Sequence, residues 1–135
     1  MVRSSLFVLC AMALAAQSAE SPRSVLDLKL FFQQNCVKCH GLDGSARGPE
    51  GKRLKGRDFT SEKEMKGTTE AGLAKTIRNG IFFGKVMPAF KKELTEEEAR
   101  VLVREILLKA VKGQPIAPQA DTLPLVPRSL RPEKN

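Results

Sequence analysis

The stretch Asn35-Cys36-Val37-Lys38-Cys39-His40-Gly41 constrains this chain more than any other. Two cysteines flank two residues, and the single histidine of the chain follows at once. This is the C-x-x-C-H pattern of covalent c-type haem attachment. Each thiol can add across a haem vinyl group to give a thioether. Two thioethers fix one edge of the porphyrin, so the next residue, His40, is the one placed to reach the iron axially. The competing readings need partners that the sequence lacks. A zinc site takes about four ligands, usually from two separated pairs, and one pair with one histidine is on offer. A thioredoxin-like C-x-x-C opens a helix after a strand in a βαβ unit, and no such unit is legible. A disulfide across so short a loop needs no histidine beside it. The expectation is one covalent haem c on Cys36 and Cys39, with His40 as a metal ligand.

The N-terminus supplies the compartment. Arg3 precedes the apolar run Leu6–Ala16, and small residues lead on to Ala19. This predicts a secretory signal over residues 1–19, too short and too weakly flanked to span a membrane. Cys10 is lost with it, leaving two cysteines, both in the haem motif, and no disulfide framework. The expected location is periplasmic, with no membrane-spanning segment after cleavage. The 135 residues carry 23 Lys and Arg against 15 Asp and Glu. Removing Arg3 with the signal leaves 22 against 15, a net charge of +7. Such a surface steers acidic partners; nucleic acid is not expected, because no binding motif accompanies the charge. One domain fits this length, and its thin core would gain apolar surface from a buried porphyrin.

The periodicity predicts three helices. Ser21-Pro22 or Ser24 with Asp27 starts the first, which carries Val25, Leu28, Phe31 and Phe32 into the haem motif. Residues 41–67 lose periodicity and are punctuated by glycines, with Leu54 and Phe59 as inward-facing candidates. Thr68 or Thr69 caps the second helix, which carries Leu73, Ala74 and Ile77 and stops at Asn79-Gly80. An apolar but glycine- and proline-broken segment, 81–90, follows. Thr95 and Glu98 form a capping box for the third helix, with Ala99, Leu102, Val103, Ile106 and Ala110 on one face and Gly113 as its stop. The expected division is a signal at 1–19, one domain at 20–113, and an extended or disordered proline-rich tail at 114–135. With no strand signal, the fold class is all-α.

A six-coordinate haem iron needs a second axial ligand, and no second histidine exists. Met87, Met65 or a lysine has a suitable donor. Met87 precedes Pro88, which favours extended backbone before it, and it lies among Ile81, Phe82, Val86 and Phe90. Met65 lies in the charged run Glu62-Lys63-Glu64-Met65-Lys66. Met87 is the expected ligand, by the His/Met pairing of electron-transfer cytochromes.

In Phe32–Gly41, Ile77-Arg78-Asn79-Gly80, Met87-Pro88-Ala89-Phe90 and Leu94–Ala99, in that order, the chain resembles class I c-type cytochromes, in particular small bacterial monohaem ones. The resemblance covers residues 24–112. It implies a cytochrome c-like fold of terminal helices crossing near the haem with one helix between them. It also implies that the carbonyl of Pro49 accepts the proton of His40. The sequence departs from the family in three places. Leu28 stands four residues before Phe32, where members often have glycine; Ile106 or Leu107 stands where the last helix often has an aromatic; and no Trp or Tyr is present to hold a propionate. Arg53, Lys55 or Arg57 is the expected substitute for those aromatics.

The function expected is a one-electron carrier between redox proteins outside the cytoplasm, not an enzyme. No Ser-His, paired-carboxylate or phosphate-loop constellation is present. Lys85, Lys91 and Lys92 flank the Met87 loop and would dock acidic redox partners such as a dehydrogenase, an oxidase or another cytochrome. Two alternatives stand beside it: a haem-based sensor with an open iron site, and a dedicated cytochrome subunit of a dehydrogenase or oxidase complex.

Overall fold

The structure, a computed structural model, describes residues 21–119. The expected signal and most of the proline-rich tail lie outside the described residues. Helix α1 spans Val25–Asn35. Ser24 starts it through a reciprocal capping box: its hydroxyl accepts from the Asp27 N–H at 3.1 Å, and the Asp27 carboxylate accepts from the Ser24 N–H at 3.1 Å. Helix α2 is a single turn, Val37–His40. Helix α3, Glu62–Met65, is another single turn, started by Ser61. Helix α4, Glu70–Asn79, is capped by Thr69 and stops at Gly80, whose φ is +70°. Helix α5, Glu96–Glu105, carries the expected Thr95/Glu98 capping box. No strand forms among the described residues; two isolated antiparallel bridges join Arg47 to Arg53 and Ile81 to Met87. The all-α expectation holds, with two single-turn helices that periodicity over so few residues does not reveal.

The third long helix is shorter than its sequence suggested. Ile106 leaves helical geometry (φ −123°, ψ −63°), and a 3₁₀ turn follows at Leu107–Lys109. The chain then folds back. The Gly113 N–H donates to Asp43 Oδ2 at 2.7 Å, and the Ile116 N–H donates to the Leu42 carbonyl at 2.9 Å. Ile116 and Ala117 are buried. Packed structure therefore continues beyond Gly113, and the expected domain boundary there is too early.

The core lies where α5 meets α4 and α1. Phe32, Leu28, Leu94, Leu102 and Val103 are its largest fully enclosed side chains. Leu28 is fully buried in one cluster with Ala99, so a leucine is accommodated where the resembling family often has glycine. Burying a leucine contributes roughly 1.5–3 kcal/mol. An ion pair fastens the start of α1 to α5: Arg23 Nε and Nη2 donate to the two Glu98 carboxylate oxygens at 2.9 and 3.1 Å, and the Arg23 N–H donates to Oε1 at 3.2 Å. The hydrogen bonds from Arg23, with those from its own and the Thr95 backbone, hold the Glu98 carboxyl down to about 2 against the opposing effect of burial. The guanidinium also lies 5.2 Å from the centroid of the Phe31 ring.

Candidate haem site

Cys36 closes α1 and opens α2. Its N–H donates to the Phe32 carbonyl at 2.8 Å, and its own carbonyl accepts from Cys39 and His40 at 3.1 and 2.9 Å. This one turn brings Cys36, Cys39 and His40 together on the wall of a single cavity. Both thiols are unpaired. Burial, with Cys39 adding a smaller effect, pushes the Cys36 thiol up to about 12. A redox-active C-x-x-C needs the reverse, a depressed thiol pKa.

His40 is held on two sides. Its Nδ1 lies 2.9 Å from the Arg57 carbonyl. A carbonyl only accepts, so the proton sits on Nδ1 and the Nε2 lone pair is free to ligate. The ring stacks on Phe59 with centroids 4.6 Å apart and planes 15° apart. Burial is the largest influence on the imidazole and lowers its pKa, partly opposed by the bond to Arg57. Burial favours the neutral imidazole, while the Arg57 bond and the Phe59 stack fix its orientation.

The loop from Gly41 to Gly67 supplies that support. Its backbone groups pair back onto the motif: the Ala46 N–H donates to the His40 carbonyl at 2.7 Å, and the Gly56 N–H donates to the Cys39 carbonyl at 2.8 Å. Gly56 has to be glycine for lack of room, since a Cβ there would lie 2.4 Å from the Cys39 carbonyl oxygen and 2.7 Å from His40 Nδ1. Arg53 organises the loop from within. It donates to the Ala46, Leu54 and Gly56 carbonyls at 3.2, 3.0 and 2.8 Å and forks onto the Glu64 carboxylate at 3.1 and 3.2 Å.

Met87 lies in a hairpin fastened at its base. The Ile81 N–H donates to the Met87 carbonyl at 3.0 Å, and the Phe90 and Lys91 N–H groups donate to the carbonyls of Ile77 and Arg78 at the end of α4. Met87 is half-buried, packs against the core and lines the cavity that contains His40. Between the paired residues, Phe82, Phe83 and Gly84 are consecutively left-handed, with φ of +53°, +56° and +80°. For a bulky side chain this conformation is a strained outlier costing about 1–3 kcal/mol.

The cavity holds about 350 Å³. Phe59, Leu73, Ile77, Val86 and Phe90 give it apolar walls, while Lys55, Arg57 and Lys85 are its charged lining residues. No carboxylate lines it. Two thiols, a ligating imidazole, a thioether, apolar walls and cations suited to carboxylate groups are a donor set that fits haem c. Among the described residues no cluster of three His, Cys, Asp or Glu side chains is arranged to hold a bare metal ion.

Two sequence expectations are corrected here. The carbonyl facing His40 is that of Arg57, not of Pro49, which is exposed in the Gly48–Gly51 turn beside the Arg47–Arg53 bridge. Arg53 does not line the cavity, because the loop carbonyls and Glu64 occupy its guanidinium; Lys55 and Arg57 do line it. Met65 packs beside the core away from the cavity lining. Sequence reading missed Gly56 as a contact point and Arg57 as an acceptor. Gly56 was visible as one of several glycines, but a backbone acceptor leaves no mark on the residue type.

A protein-family model described as "Cytochrome C oxidase, cbb3-type, subunit III" matches residues 24–104. Among solved structures the chain is similar to the KustC0563 c-type cytochrome, at 29% identity over 59% of this chain and 92% of that one, with a TM-score of 0.48. A point mutant of the same cytochrome aligns at 28% identity over 63% of this chain and 99% of that one, with a TM-score of 0.50. No curated protein sequence matches. No helix among the described residues is long and apolar enough to cross a membrane. With a family model covering more than half the chain and a fold to match, the protein belongs to the class I c-type cytochromes, haem proteins of electron transfer, in the family of cbb3-type cytochrome c oxidase subunit III.

Proposed function

We propose that the protein carries single electrons between redox proteins outside the cytoplasm through one haem c. Cys36 and Cys39 would hold it by thioethers, and His40 Nε2 and Met87 Sδ would ligate its iron. The observation that carries this reading is the convergence of both cysteines, an imidazole with Nε2 free and a methionine on one apolar cavity. Haem c supplies a one-electron iron couple, and a methionine ligand raises its potential. The chain's own residues do the rest. The Arg57 carbonyl fixes the imidazole tautomer, Phe59 and the aliphatic wall would keep water from a bound haem, and Lys55 and Arg57 would favour ionised propionates. Lys85, Lys91 and Lys92 are exposed beside the Met87 hairpin and would steer an acidic partner.

The family description names an oxidase subunit, which favours an oxidase as electron acceptor and gives weight to a second reading, a dedicated subunit of such a complex. The test of the primary reading is optical. Pyridine haemochrome should give one haem c per chain, and the ferric protein should show a methionine-sulfur charge-transfer band that Met87→Ala abolishes. High-spin wild-type protein that binds carbon monoxide readily would instead mean an open iron site and a sensor. Stoichiometric co-purification with an oxidase would select the subunit reading over a free carrier.

A further inference from the structure

The hairpin before Met87 has the wrong residues at its tip for stability. Phe82, Phe83 and Gly84 are all left-handed, a run that turn chemistry assigns to Asn, Asp and Gly. Two phenylalanines occupy it instead. Phe83 is 99% exposed and Phe82 68%. Their rings meet each other edge-on with centroids 6.3 Å apart, and neither lines the haem cavity. The core therefore gives little in return for the strain. The neighbouring Ile81, Lys85, Val86 and Met87 do line the cavity, so the tip is continuous with its mouth. Residues 81–92 contain Lys85, Lys91 and Lys92 and no acidic residue.

We propose that Phe82 and Phe83 form an aromatic anchor that inserts into an apolar, carboxylate-rimmed pocket on a redox protein partner. Phenylalanine side chains have few rotatable bonds and lose little freedom on docking, and buried aromatics carry a disproportionate share of interface affinity. The cations around them match an acidic rim and set the approach. Because the tip adjoins the cavity mouth, a partner seated on it lies against the Met87 side of the site. The inference rests on the electron-carrier reading and adds the contact that makes such transfer selective.

The test is the double variant Phe82→Asn/Phe83→Gly in the full-length holo-protein. An Asn-Gly pair suits the left-handed turn, so the melting temperature should not fall. Ascorbate-reduced protein is oxidised either by detergent-solubilised membranes of the source organism, followed by oxygen uptake, or by ferricyanide. The expected result is a second-order rate with membranes about tenfold lower and an unchanged rate with ferricyanide. An unchanged rate with membranes overturns the anchor. An equal loss with both acceptors also overturns it, since the hairpin would then be supporting the haem. If wild-type protein reacts with ferricyanide but not with membranes, the carrier reading itself fails and takes the anchor with it. Phe-dependent sedimentation with phosphatidylglycerol vesicles, or Phe-dependent self-association, would assign the tip to lipid or to a second copy and overturn the proposal.

Discussion

The two sides of the haem site are built in opposite ways. On the His40 side, an irregular loop is tied down by backbone hydrogen bonds, by the Arg53 fork and by the stacked ring of Phe59. Ser45 and Ala46 within it are fully or almost fully buried. On the Met87 side, a hairpin is fastened at its base and projects an exposed, left-handed tip. Neither segment is periodic, yet the loop buries Ser45 and Ala46 while the hairpin exposes Phe82 and Phe83. The difference teaches where each part of the function is stored. The imidazole, whose tautomer must be set in advance, is packed rigidly; the methionine sits on the segment left free to meet something else.

The largest effect should come from breaking the rigid side. Gly56→Val would drive a branched side chain into the Cys39 carbonyl and the His40 ring. Overpacking against backbone at this spot should destabilise the protein by on the order of 4 kcal/mol, read as a collapse in holo-protein yield and in the urea midpoint. Gly84→Ala on the hairpin is the contrasting change. Nothing lies within 4 Å of a Cβ there, and only the positive φ of +80° opposes it, so a loss of about 1 kcal/mol is expected. Equal losses for the two would erase the distinction between the sides.

On the Met87 side the proposed ligation makes the expected effect electronic. Met87→Ala should leave folding of the His40 side intact, because the sulfur contributes little to that loop. Under the proposed ligation, the reduction potential should fall by on the order of 0.1–0.2 V and the ferric iron should turn high-spin. Spectroelectrochemical titration reads both. An unchanged potential would remove Met87 from the iron.

The rigid side was the harder of the two to read from sequence. The Cys36–His40 motif, the Ser24 and Thr95 capping boxes and the α5 stripe were legible because each rests on local spacing. The loop from 41 to 67 was not, because its order comes from partners far away in sequence. Arg57 lies 17 residues from His40 and acts through its carbonyl, while α2 and α3 are too short to show a period. Analogy placed the acceptor at Pro49, which lies in a turn at the loop's outer edge. The return of Ile116 onto Leu42 was hidden for the same reason: a proline-rich stretch looks extended whether or not it packs.

Helix α5 packs against α1, which leads into the haem motif, and against α4, which leads into the hairpin, so weakening the α1–α5 junction tests whether the two sides fail together. The Glu98 carboxyl, ordinarily near 4.5, sits at about 2 in the folded chain. A depressed carboxylate gives stability that is complete above the unfolded value and is lost as pH falls from about 4.5 towards 2. A difference of that size corresponds to on the order of 3 kcal/mol. Glu98→Gln keeps the capping geometry but gives up the charge. It should lower stability at pH 7 by about 2 kcal/mol and flatten the acid limb of the stability curve between pH 4.5 and 2. An acid limb as steep as that of wild type would place the acid sensitivity in other carboxylates. Since α5 supports both sides, the haem spectrum and the global melt should move together.

The smallest effect expected is a gain. Phe83→Asn replaces a solvent-exposed ring in a left-handed position with a residue that tolerates that conformation. Loss of the Phe82 edge contact opposes the relief of strain. The net change should be a stabilisation of about 0.5 kcal/mol, visible as a small rise in the melting temperature of the holo-protein. The same replacement of a core aromatic, such as Phe32, would cost about 3–5 kcal/mol. A loss of more than about 1 kcal/mol at Phe83 would mean that the ring packs against the molecule in solution. The Met87 side would then be as closed as the His40 side, and the contrast between a rigid socket and a projecting tip would fail at the residue that defines it.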